Sequence, residues 1–247
     1  MKLLFRSRWI LLAGLLVLAP VAQAGFDEAV EAANSGDFDT AFREFSLLAE
    51  QGDERAQQSL GWMYYEGQGR DVDYAKAAYW YQKAAEQGNI TAQINLAQMY
   101  AYGQGVAQDF SRAAYWWEKL AEQGDARSQA ALGGLYYLGQ GVNKDYAKAA
   151  KLWRRAAEQG HVEAQLNLGL MYGKGQGVEQ DDVQAYAWLT AAATQGNEVA
   201  DSSREFALMQ IGEARRAEAE QLAREYLRKY VEPFAASPPA AAEPKSL

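Results

Sequence analysis

A catalytic reading of this chain has to begin at its single histidine, His161, because imidazole is the side chain that exchanges protons near neutral pH and no cysteine is present. As a general base it would serve a serine nucleophile, and Ser59, Ser111 and Ser128 are the candidates. None of them lies on a Gly-x-Ser-x-Gly elbow. As a zinc ligand His161 would need a second histidine or a cysteine, and neither exists. The adjacent carboxylates Asp181 and Asp182 could do acid–base work only as a pair across a groove, and they read as ordinary helix-start residues. Gly-x-Gly segments occur at Gly67, Gly103, Gly139 and Gly175, but they lack the preceding strand, further glycines and lysine of a phosphate cradle. The sequence therefore assigns no catalytic residue, no metal site and no cofactor, and the expected protein is not an enzyme.

The elements that would position such residues follow from a period. Gly52, Gly88, Gly124, Gly160 and Gly196 recur every 36 residues, and Asp73, Asp109, Asp145 and Asp181 keep the same spacing. Self-similarity at this period marks a solenoid of stacked supersecondary units. In one unit Ala56, Gln57, Leu60, Gly61, Met63 and Tyr64 fall at helical spacing, and Ala92, Gln93, Leu96, Ala97, Met99 and Tyr100 repeat them. This predicts a helix A, ended by the double glycine of Gly67-Gln68-Gly69, then a helix B capped by Asp73 and carrying Tyr74, Ala77, Trp80, Tyr81, Ala84 and Ala85. The fold expected is all-α: a right-handed α/α superhelical solenoid whose concave side is the default binding surface. In this register His161 matches Asp53, Asn89, Asp125 and Asn197, so it is expected as a solvated turn residue.

The ends differ from the body. Lys2, Arg6 and Arg8, the apolar run from Trp9 to Ala19 and the Ala22-Gln23-Ala24 site predict a signal peptide over residues 1–24, with cleavage before Gly25 and no stable membrane insertion afterwards. The expected location is the periplasm, or outside the cell. Residues 25–52 are expected as an atypical N-terminal cap repeat, 53–196 as four 36-residue repeats, 197–232 as capping helices and 233–247 as a disordered tail. Within the C-terminal cap, a helix over Glu213 to Lys229 is expected to bury Ala214, Ala217, Leu222 and Leu227. Losing the signal peptide takes the formal charge from −8 to −11, which argues against nucleic acid and anionic lipid as partners.

The run Ala-Gln-x-x-Leu-Gly-x-Met-Tyr, then Gly-x-Gly-Val, Asp-Tyr, Lys-Ala, Trp and Ala-Ala-Glu-Gln-Gly, resembles the Sel-1-like repeat, a relative of the tetratricopeptide repeat. Ala164, Gln165, Leu168, Gly169, Met171, Tyr172, Gly175, Gly177 and Val178 carry it, while Arg70, Ser128 and Asp182 depart from it. The resemblance implies a scaffold or adaptor in signalling, envelope assembly, exopolysaccharide export or host contact. It also implies the alternative of a cell-wall or carbohydrate-acting protein, β-lactam-binding or hydrolase-like.

Columns of helix A that repeat define its packed face, so columns that change define the face left for a partner. Trp62, Tyr65, Tyr102 and Tyr137 offer rigid apolar area with a polar handle. Asn95, Gln98 and Asn167 offer bonds to a peptide backbone or to sugar hydroxyls, and Ser59, Glu66 and Lys174 complete the set. A protein or peptide is the expected partner, with an envelope glycan as the other candidate. Trp80, Trp116 and Trp188 recur at one position and are assigned to the core.

Overall fold

The computed structural model describes residues 23–235. The expected signal peptide up to residue 22 and the tail beyond Ala235 lie outside the described residues. Helices account for every regular element among the described residues, which divide after Gln108 into two compact units. The first unit holds α1 (residues 23–34), α2 (Phe38–Glu50), α3 (Glu54–Glu66), α4 (Tyr74–Glu86) and α5 (Ile90–Tyr102). The second holds α6 (Phe110–Glu122), α7 (Ala126–Leu138), α8 (Tyr146–Ala157), α9 (Val162–Lys174), α10 (Asp182–Thr194), α11 (Glu198–Gln210), α12 (Glu213–Tyr230) and α13 (Glu232–Ala235).

The helices start and stop where side chains and backbone dictate. Asp37 and Asp73 accept bonds from first-turn amides of α2 and α4, as Asp109, Asp145 and Asp181 do for α6, α8 and α10. Gly67, Gly103, Gly139 and Gly175 end α3, α5, α7 and α9 in the left-handed conformation. The second glycine of each loop has a different task. At Gly177, with φ of +68°, an added Cβ would sit 2.2 Å from the Tyr146 carbonyl oxygen, and at Gly105 the same atom of Tyr74 would be 2.1 Å away. Each loop therefore lies directly on the first turn of the preceding helix B, an approach that only glycine permits.

Repeats are further joined through buried glutamines. Gln57 donates to the Ala49 carbonyl at 3.1 Å and accepts from Gln87 at 2.8 Å. In the second unit Gln129 donates to Ala121 and accepts from Gln159, and Gln165 donates to Ala157 and accepts from Gln195. In these three the buried amide is satisfied on both its nitrogen and its oxygen, which makes its burial tolerable, whereas Gln93 donates to Ala85 but has no partner on its oxygen among the described residues. Apolar cores fill the remaining interior: Phe45, Leu60 and Met63 in the first unit, with Trp62 and Trp80 against them, and Trp153, Leu168, Met171 and Trp188 in the second.

The C-terminal region departs from expectation in three ways. The repeat continues through α11, a helix A in length and register, capped by Asn197 at the position of Asp53 and Asn89. The face of α12 that packs is the expected one only in part, for Leu222 and Leu227 are partly buried, Ala214 and Ala217 are exposed, and Ala219 and Ala223 are buried instead. Tyr226 and Tyr230 lie on that buried stripe and meet Trp188 at ring distances of 4.4 and 5.2 Å, while Leu222 packs beside Ala219 on Val183 and Ile211. Finally, residues 233–235 are helical, and the Phe234 ring lies against Gly160.

Candidate functional site

His161 is no solvated turn residue. It is partly buried and caps α9, its Nδ1 accepting from the Ala164 amide at 3.3 Å, as Asp53, Asn89, Asp125 and Asn197 cap theirs. Burial, opposed by the Glu163 carboxylate, holds its pKa below the usual imidazole value and so keeps the neutral form that a cap acceptor needs. The Ser59 hydroxyl, expected on the binding face, is fully buried in α3 with no hydrogen-bond partner. Among the described residues no cluster of three histidine or carboxylate side chains could hold a metal ion, and no helix is long and apolar enough to cross a membrane.

The remaining expected binding residues divide into pins and open surface. The Tyr65 hydroxyl donates to Gln104 of the next loop and its ring meets Tyr74 edge-on, while Tyr137 donates to Gln176 and packs on Tyr146 and Trp153. Both tyrosines therefore hold repeats together instead of projecting freely. Asn95 is half-buried and hydrogen-bonded to Tyr81, whose hydroxyl burial pushes up in pKa, and Trp62 rests partly on the first unit's core. Glu66 is half-buried. Gln98 and Tyr102 are exposed, Tyr102 at 72%.

In the second unit the changing columns open onto two clefts. One, of about 270 Å³, lies between α7 and α9 and is lined by Gly134, Tyr137, Leu138, Asn167 and Lys174 among others. The other, of about 520 Å³, lies among α9, α10 and α11, where Leu170 and Lys174 face Ser203, Phe206 and Gln210. Leu170 and Lys174 line both, and Lys174 forms no ion pair with a described carboxylate. Asn167 and Lys174 are thus brought together with Tyr137, whereas Trp62, Tyr65, Asn95 and Tyr102 belong to the first unit.

Phe206 and Gln210 were not among the expected site residues, although Phe206 is 61% exposed and stands one period after Leu170, as Gln210 does after Lys174. Carrying the 36-residue register one step past Gly196 would have found both. It is hidden in α11 because Arg204 and Glu205 replace the leucine and glycine of the packed columns.

The Sel1 repeat family model matches residues 55–89, 90–125, 126–161 and 162–197. A solved Sel1 repeat protein from Oxalobacter formigenes is 28% identical, with a TM-score of 0.66 over 85% of this chain and 87% of that one. A protective antigen of uropathogenic Escherichia coli strains, displaying an SLR fold, is 33% identical with a TM-score of 0.53. That match covers 87% of this chain but 56% of the antigen, so the chain spans little more than half of the antigen's length. No curated protein matches the chain.

Proposed function

Because the chain belongs to the Sel1 repeat family, an all-α solenoid of tetratricopeptide-like repeats, we propose that it is an exported, non-enzymatic scaffold that takes a protein or peptide segment on the changing face of its A helices. The observation that carries this reading is the pair of adjoining clefts on α7, α9 and α11, where apolar side chains surround Asn167, Lys174, Ser203 and Gln210. A concave, largely apolar surface with a few polar groups is what a docking segment needs. Catalysis lacks parts: His161 is engaged in a helix cap and Ser59 is buried without a base. Export is supported by the charge and apolar pattern of residues 1–24 and by the antigenic role of a relative.

A photocrosslinker placed at Phe206 in the native cell should capture the partner, and Phe206→Ala should then weaken its binding by more than about 1 kcal/mol with helicity intact. Unchanged affinity in a Leu170→Ala, Phe206→Ala double variant would remove these clefts from consideration. The same native material should show an intact mass beginning at Gly25; a full-length product would sink the export reading. Turnover of a β-lactam or a cell-wall glycan by the purified protein would favour the hydrolase alternative.

A further inference from the structure

Helix α8 is unlike the other described helices of this acidic chain. In the run from Tyr146 to Ala157 it carries Lys148, Lys151, Arg154 and Arg155 and no acidic residue. All four are exposed, and none forms an ion pair with a described carboxylate. Lys148, Lys151 and Arg155 fall on one stripe, at spacings of three and four residues. Beside that stripe lies a cleft of about 210 Å³ floored by Leu132, Tyr136 and Leu152 and edged by Glu118 and Glu122. The Arg155 guanidinium is already placed, donating to the Ala121 carbonyl at 2.8 Å, and Lys148 stands 4.8 Å over the Tyr136 ring.

The same unit shows what this helix face can receive. One period on, the columns of Lys151 and Arg155 hold Ala187 and Ala191 in α10, both fully buried, and α12 is the extra helix packed along α10. On α8 the corresponding face is bare and cationic. We propose that the exposed face of α8 docks an acidic amphipathic helix of a partner protein, laid over the cleft as α12 is laid on α10. Its carboxylates would meet Lys151 and Arg155, its apolar stripe would cover Leu132, Tyr136 and Leu152, and basic residues on its other flank would face Glu118 and Glu122. Glu118 and Glu122, together with a net charge of −8, disfavour a flat anionic bilayer, which offers no cation to face them.

The test uses the mature chain and a fluorescent synthetic helix with glutamates along one flank, lysines along the other and leucine at every third or fourth position, read by anisotropy. Binding is expected, weakening as salt rises, with Kd raised about tenfold by Lys151→Glu and further by Lys151→Glu combined with Arg155→Glu. Lys151 has no hydrogen-bond partner among the described residues, so Lys151→Glu alone decides the matter if the double variant misfolds. Lys174→Glu, in the clefts of the A helices, should leave this affinity unchanged, which keeps the two surfaces separable. The proposal is overturned if the glutamine counterpart of the helix binds equally well, or if Lys151→Glu binds like the parent. Preference for phosphatidylglycerol vesicles over the peptide overturns it in favour of a membrane. Self-association abolished by Lys151→Glu overturns it in favour of a second copy.

Discussion

His161 caps α9 through a ring nitrogen where its four counterparts use carboxylate or amide oxygens, and that choice ties one helix terminus to pH. Its folded pKa lies below the unfolded value, so the folded state resists protonation. Above about pH 6.5 both states are neutral and the cap is intact; as pH falls below that value the unfolded chain binds the proton first and stability declines, until the folded pKa is passed. His161→Asn should flatten that part of a stability profile measured by denaturant titration between pH 8 and pH 5, while His161→Ala should cost about 0.5–2 kcal/mol at pH 8. A profile unchanged by His161→Asn would detach the pH response from this cap. The column itself was legible in the register, which aligns His161 with Asp53, Asn89, Asp125 and Asn197, but a polar residue after a glycine reads as a solvated turn and its capping role was not legible. The roles of Tyr65 and Tyr137 were not either, since their partners Gln104 and Gln176 lie 39 residues away and the same column holds Ala101 and Gly173 elsewhere. Variation there reflects an alternative packing solution, not freedom from packing.

At the scale of the helix and its loop, two glycines of the second unit make opposite predictions. Gly134 lies inside α7 with open space around its missing Cβ, whereas Gly177 has a positive φ and rests on the Tyr146 carbonyl. Gly134→Ala should stabilise α7 by about 0.5–1 kcal/mol, by the helix preference for alanine. Gly177→Ala should destabilise by more than the former gains, because strain and collision add. Thermal unfolding of the two variants side by side checks both signs. The terminal elements show why helical pattern alone stops short. Helix α12 has more than one apolar stripe, and the one with Tyr226 and Tyr230 is the one that meets the Trp188 ring on α10. Burial beside those rings pushes Tyr226 up to about 12, and its hydroxyl donates to Gln184 at 2.7 Å. Trp188→Ala should therefore cost about 3–5 kcal/mol and release α12, seen as loss of amide protection over residues 213–230.

Among the described residues cohesion comes mainly from helices that are neighbours in sequence, α12 on α10 being the large exception, so a local injury should stay local at first. Leu96 is fully buried in α5, and Leu96→Ala should cost about 2–5 kcal/mol. Hydrogen exchange should show the loss first in α4 and α5, the pair that packs across this position. Uniform loss of protection from α1 to α12 would mean that the chain unfolds as one block. The joints between repeats have a further consequence. Gln57 meets Gln87, Gln129 meets Gln159 and Gln165 meets Gln195, each pair 30 residues apart, and the tyrosine pins and loop glycines keep constant offsets too. Excising residues 146–181 would join Asp145 to Asp182 and bring Gln195 to the offset of Gln159 from Gln129, while Tyr137 would find Gly212 in place of Gln176. A gene encoding such an array can lose or duplicate a 36-residue stretch by unequal recombination and keep the helix cap and the glutamine joint at the seam. Array length is then a heritable variable, and descendants can lengthen the surface they offer by copying instead of by invention.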